Sequence, residues 1–171
     1  MPVIEGAYGI LQNAGAPVAG TDEVQTITFG GTPTGGTFTL TYDGFTTAAI
    51  TWSNVNATLI AAIDAALEAL PNIGSGGVAT AVGTMTAGIG TATVTFSGTN
   101  MAKRAVNTMT ATSSLTGTLP TVAVTETTPG VTATAYGLPK GGLLIDTTNA
   151  KLYINTGTAA APTWTVVGAQ T

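Results

Sequence analysis

Two short stretches of this chain alternate strictly between apolar residues and threonine. In residues 37–42, the apolar side chains of Phe38, Leu40 and Tyr42 fall on one face and threonines fall on the other. Residues 91–96 repeat this pattern. A period of two with one apolar face predicts half-buried β-strands. Further strands are predicted at residues 48–52, 105–111 and 121–126.

The two alternating stretches are framed alike by glycine. The spacing from Gly36 to Gly90 equals the spacing from Val24 to Val78, which suggests two similar pairs of strands. Glycine-rich residues 30–36 and 74–77 lack the spacing of a phosphate-binding loop, so we interpret them as turns between strands.

One segment, at about residues 57–70, has helical spacing. Asn56 offers a side-chain N-cap, and Pro71 and Gly74 end the helix. Asp64 and Glu68 lie on its wetter side and are interpreted as solvated surface. The apolar face, which we expect to pack on the sheet, contains Leu59, Ile60, Ile63, Leu67 and Leu70.

These elements predict a mainly β (α+β) fold: a β-sandwich-like sheet with one packed amphipathic helix. We divide the chain into an N-terminal arm (1–20), a β-rich domain (21–131) and a small C-terminal β-meander (136–171). The arm has large apolar residues without a period, and the meander is too small to be stable alone. Both therefore need a surface to lie on. The candidate interface residues are Val3, Ile4, Tyr8, Ile10, Leu11, Tyr153 and Trp164.

Composition argues against catalysis. The chain has no histidine and no cysteine, and charged residues make up 7% of it, against roughly 25% in ordinary domains. General acid–base groups near neutrality, thiol nucleophiles and thiolate metal sites are therefore excluded. The Asp146–Asn149 turn has too few carboxylates for a calcium cage. We predict no enzymatic activity, no cofactor and no bound metal.

Charge and hydropathy also limit the partners. The net charge is −4, and Lys103-Arg104 is the only adjacent cationic pair, so nucleic-acid binding is not expected. Mean hydropathy is +0.39, but no run of 18 apolar residues occurs, and residues 1–5 lack the positive and apolar regions typical of a signal peptide. We expect synthesis in a cytoplasm and no membrane contact. Trp52 and Trp164 could form a sugar platform; core packing is favoured for Trp52 and is left open for Trp164.

Two parts of the chain resemble structural proteins of tailed bacteriophages. The first is EVQTIT…GTPTGGTFTL at residues 23–40, together with the helical segment, the NIG of residues 72–74 and residues 91–96. The second is LLIDTTN…KLYINTGT…PTWTVVG at residues 143–168, which is similar to a short C-terminal element of phage head and tail proteins. The resemblance brings no catalytic residues.

The resemblance implies a non-enzymatic virion structural protein. We expect a capsid decoration (cement) protein that binds the outer surface of a phage head and stabilises it. Its partners would be the major capsid protein and further copies of itself, with a trimer favoured because it suits local threefold axes. Threonine-covered sheets with few charged edge residues also favour association. A phage tail or head-fibre component and a carbohydrate-binding or adhesin module are the alternatives.

Overall fold

A computed structural model describes residues 10–13, 15–98, 101–135 and 137–168, although not the side chain of Ile10. The fold is mainly β with one helix, as the sequence predicts. The elements in chain order are β1 (Ile10–Asn13), β2 (Val24–Tyr42), β3 (Phe45–Thr46), β4 (Ile50–Thr51), α1 (Asn56–Glu68), β5 (Val78–Val82), β6 (Gly90–Phe96), β7 (Thr110–Thr128), β8 (Leu143–Asp146), β9 (Lys151–Asn155) and β10 (Trp164–Val166).

The chain forms two compact units. The larger is Asp22–Gly130, and the smaller combines Met1–Thr21 with Val131–Thr171. The sequence-based division counted the two chain ends as separate elements. Instead, β1 pairs in parallel with β8, so residues from both ends share one sheet, in the order β1-β8-β9-β10. No local pattern signals a pairing between segments so distant in sequence.

The larger unit is organised around β2. The first half of β2 pairs with β6, and its second half pairs with β3 and β4 on the same side. Along its other side, β2 pairs with β7 over nearly its whole length. Strand β5 pairs with β6 and ends the sheet opposite β7.

The β2–β7 ribbon bends in the middle. Phe29 and Phe38 would be about 30 Å apart in a straight strand, yet their ring centroids are 5.1 Å apart. Register shifts lie between Gly30 and Thr32 and between Pro33 and Gly35. Because an extra residue reverses which side chains face inward, both halves of β2 bury their apolar face in one core. The predicted turn at residues 30–36 is therefore wrong: the chain bends there without leaving the strand.

Two other strand predictions also need correction. Residues 105–111 and 121–126, predicted as separate strands, contribute to the single 19-residue strand β7, which begins at Thr110. The suggested repeat does not describe two equal strand pairs, because Val24–Tyr42 is one bent strand whereas β5 and β6 form a hairpin. Glycines at similar spacing thus serve a bulge in one place and a hairpin in the other.

Helix α1 packs its apolar face on the sheet. The side chains of Leu59, Ile63 and Leu67 are completely buried, as the helical spacing predicts. The predicted cap is wrong: Val55 is the N-cap residue, without a side-chain hydrogen bond. Asn56 instead donates to the Met85 carbonyl and accepts from the Gly88 N–H, which fixes the loop before β6. Among the described residues, no helix has the length and apolar character to cross a membrane.

Candidate interaction surfaces

The predicted interface residues fall into two groups. Val3, Ile4 and Tyr8 lie outside the described residues, so the structure does not locate them. Ile10 and Leu11 lie in β1, beside β8, and Leu11 is 40% exposed. The end of the arm is therefore part of a sheet, while one of its apolar side chains stays accessible to a partner.

Tyr153 and Trp164, the other two candidates, line one cleft. The cleft has a volume of about 270 Å³ and lies in the smaller unit. Tyr153 comes from β9 and is nearly buried, whereas Trp164 comes from β10 and is half-buried. The remaining wall is formed by small residues and prolines: Ala16, Pro17, Ala19, Pro162 and Thr163.

Two polar residues hold this cleft in shape. The buried Asn155 amide accepts from the backbone N–H of Thr163, at 2.9 Å, and donates to the Leu138 carbonyl, at 2.7 Å. The Thr134 carbonyl accepts from the Trp164 indole N–H at 3.3 Å. The Thr134 N–H also donates to the carbonyl of Val18, and the neighbours of Val18, Pro17 and Ala19, line the cleft. The indole N–H is therefore already bonded, and Trp164 offers mainly its ring.

The lining of the cleft suits a flat or apolar group. Its lining contains two hydroxyl groups, those of Tyr153 and Thr163, and no carboxylate or amine. Within residues 10–13, 15–98, 101–135 and 137–168, no cluster of three or more potential metal-ligating side chains occurs. The carboxylate of Asp146 accepts from Asn149 and from the Thr148 N–H. The pKa of Asp146 is lowered, and the main cause is the hydrogen bond from the Asn149 side chain. The carboxylate thus holds the turn of residues 146–149 in place.

The larger unit contains a buried polar network at the start of β2. Both Glu23 and Gln25 are buried. The Gln25 amide donates to Glu23 and to the Asn107 carbonyl, and accepts from the Met109 N–H. The second carboxylate oxygen of Glu23 accepts from the Val106 N–H at 2.8 Å. These bonds satisfy the buried groups and fix the segment that leads into β7, so the network is structural.

Tyr42 lies near the other end of β2, under the same segment. Its hydroxyl faces the sulfur of Met101 at 3.9 Å, and its ring lies 5.5 Å from that of Phe96. Burial raises the pKa of Tyr42 to about 12, with a smaller contribution from the neighbouring Asp43. The phenol is therefore neutral at physiological pH and acts as part of the core.

The two long edges of the large sheet differ in protection. At the β5 edge, the N–H of Thr80 donates to the carboxylate of Asp64 on α1 at 2.8 Å. Glu68, one turn further, accepts from the Gly76 N–H just before β5. The prediction that these two acids are only solvated surface is therefore wrong. They bind the backbone of the neighbouring edge.

Strand β7 has no such protection in the part of the chain that the structure describes. It pairs on one side only, with β2. None of its 19 residues is buried, and Glu126 is its only charged residue. A sheet edge exposes unpaired N–H and C=O groups, which readily pair with another strand. This edge is the second candidate interaction surface.

Comparison with known proteins gives no direct guide to the function. No protein family matches the chain, and no curated protein matches it either. The seven predicted interface residues all lie in the chain ends and none lies in β7, although threonine-covered sheets with few charged edge residues were expected to associate. The signal was present in the composition of residues 110–128, which contain one charged residue and many hydroxyl side chains.

Proposed function

We propose that this protein is a non-enzymatic structural component of a phage particle, a decoration (cement) protein on the outer surface of the head. The observation that carries the proposal is strand β7, which is long, uncharged over most of its length and paired on one side. Such an edge favours aggregation in a free monomer and becomes useful where many copies assemble. The resemblance of residues 23–40 and 143–168 to phage structural proteins is the reason for proposing that this assembly is a phage particle.

The chemistry of both units agrees with this role. Carboxylates such as Glu23, Asp64 and Asp146 bind groups of their own chain. The major capsid protein would be bound by surfaces with little charge, such as the cleft of Tyr153 and Trp164. Copies of the protein would also contact one another, and a trimer is the form that local threefold sites favour.

Binding to phage heads tests the proposal. Heads that lack this protein, assembled from the major capsid protein of the same phage, are mixed with the purified protein and sedimented. We expect saturable cosedimentation and heads that withstand higher temperature. Density at fixed positions of the capsid lattice in cryo-electron microscopy would confirm it. Binding to tails but not to heads, or no binding at saturating concentration, contradicts the decoration role.

The cleft supports carbohydrate binding as a second candidate function. Aromatic rings that leave a face accessible commonly stack on sugars, and Trp164 is half-buried. Glycan-array binding by the wild type, abolished in Trp164→Ala and retained in the exposed-site control Val131→Ala, would favour an adhesin module. If the wild type binds no glycan on the array, the carbohydrate-binding function is contradicted.

A further inference from the structure

The direction of the backbone groups along β7 follows from its pairing with β2. The Leu40 carbonyl accepts from the Thr47 N–H, and the Leu40 N–H donates to the Thr47 hydroxyl. The Gly36 carbonyl accepts from the Trp52 N–H. The backbone groups of Leu40 and Gly36 therefore point away from β7. Backbone groups alternate in direction along a strand. The intervening residues Thr37 and Thr39 therefore point toward β7, where they lie opposite Ser114 and Thr112.

The alternation also defines which groups of β7 point outward. Because Ser114 and Thr112 point to β2, the N–H and C=O groups of Ala111, Ser113 and Leu115 point to the open edge. The only bond among them within the described chain is a long one, 3.4 Å, from the Leu115 N–H to the Ser113 hydroxyl. Three successive outward positions are thus available for pairing.

We propose that this edge pairs antiparallel with the same edge of a second copy, across a twofold axis at Ser113. That register places Ala111 opposite Leu115 of the other copy and Ser113 opposite itself, so all three outward positions pair. A shift by one residue sets outward positions opposite inward ones, and a shift by two residues toward the start of β7 leaves Leu115 without a partner. Residues 110–116 contain no charge, so the pairing opposes no like charges.

The length of the available edges favours a second β7 as the occupant. Strand β5 has five residues, and Asp64 already occupies its central outward N–H. Strands β3 and β4 have two residues each. Strand β2 is as long as β7 but pairs on both sides, so in the described part of the larger unit only β7 offers an open edge of seven or more residues. Beyond Gly117, the register shift near Gly30 and Thr32 and the lack of an N–H at Pro120 interrupt the edge. The pair is therefore confined to about the first seven residues.

This inference deepens the proposed self-association but does not depend on capsid binding. It predicts a twofold contact in solution, which is separate from any threefold contact between copies on a capsid. Failure of head binding with an intact dimer would refute the decoration role alone. Failure of the dimer with intact head binding would refute the edge pairing alone.

Disulfide trapping tests the register. The chain has no cysteine, so Ser113→Cys introduces a single thiol beside its own copy. Cα atoms of directly opposed residues lie within disulfide reach. Under mild oxidation, we expect Ser113→Cys to form a covalent dimer much faster than Ser75→Cys, an exposed site in the turn before β5. Equal rates for the two variants would overturn the proposal.

Sedimentation equilibrium tests the pairing without a covalent bond. Wild-type protein should show a monomer–dimer equilibrium with a dimer Kd between about 1 μM and 1 mM. Ser113→Pro, which removes an outward N–H and leaves the β2 bonds intact, should raise the dimer Kd by about tenfold or more. Circular dichroism checks its fold, and Ser113→Cys serves as the second variant. A wild type that stays monomeric throughout, or a trimer without Ser113→Cys cross-linking, would show the inference to be wrong.

Discussion

Both edges of the large sheet have backbone N–H and C=O groups that no neighbouring strand pairs in the described chain, and the two edges differ in how these groups are bonded. At β5, a short strand lies beside α1, and the Asp64 carboxylate bonds the outward N–H of Thr80. At β7, a strand nearly four times as long has only one charged residue and no covering element in the described chain. The comparison indicates that the fold closes the β5 edge internally and leaves the β7 edge open in the described chain.

The largest effect should come from weakening the packing of α1, the helix beside the closed edge. Ile63 is completely buried between α1 and the sheet. Ile63→Ala should lower the free energy of unfolding by about 2–5 kcal/mol, because the cavity adds to the lost burial. Urea denaturation measures it, with the exposed Ala61→Gln as control. A loss below about 0.5 kcal/mol, typical of surface changes, would mean that the helix does not hold this edge.

The sequence predicted the closed edge better than the open one. The helical spacing of Leu59, Ile63 and Leu67 and the alternation in residues 37–42 are local patterns, and both are confirmed. The role of Asp64 was missed because its bond partner, Thr80, is fixed only when α1 docks.

The remaining errors also come from long-range pairing. Glycines at residues 30–36 have the composition of a turn, yet pairing with β7 keeps them in a strand. Asn56 has the chemistry of an N-cap, yet the loop at Met85 and Gly88 uses its side chain. The parallel pairing of β1 with β8 has no signal in either segment. The cleft contains two predicted residues, Tyr153 and Trp164, but the wall formed by Ala16, Pro17 and Ala19 is contributed by the distant N-terminal segment.

The segment that leads into β7 gives a second, pH-dependent test. Tyr42 lies beneath Met101 with its pKa raised to about 12 from 10.0. A raised pKa means that the folded state favours the neutral phenol, so its contribution to stability is complete below pH 10 and is lost between about 10 and 12. The loss should be on the order of 1–2 kcal/mol, less than the full pKa difference would give, because solvent screens part of the effect.

Denaturation at a series of alkaline pH values measures this loss. Tyr42→Phe should be less sensitive over the same interval, because it has no phenol to ionise. A wild type and variant with identical pH dependence would show that the Tyr42 hydroxyl is not held neutral by the core.

Asp64 allows the closed edge to be opened selectively. Asp64→Ala should cost about 1 kcal/mol, the net value of one hydrogen bond, and should expose the Thr80 N–H. Asp64→Asn keeps an acceptor oxygen and is the matched control. Thermal denaturation measures the cost, and light scattering measures association. If Asp64→Ala associates no more than Asp64→Asn, the carboxylate does not protect this edge.

The smallest effect on the monomer is expected at the open edge, and it separates the two edges most clearly. Ser113 is exposed and forms one long hydrogen bond, so Ser113→Lys should change the unfolding free energy of dilute protein by less than about 0.5 kcal/mol. In concentrated protein, the wild-type Tm should rise with concentration, because a dimer that forms only from folded chains stabilises them. Ser113→Lys opposes two ammonium groups at the twofold axis and should remove that rise, whereas Ser75→Lys should keep it. A wild-type Tm independent of concentration, or an equal response from both lysine variants, would mean that β7 is stable as an unpaired edge.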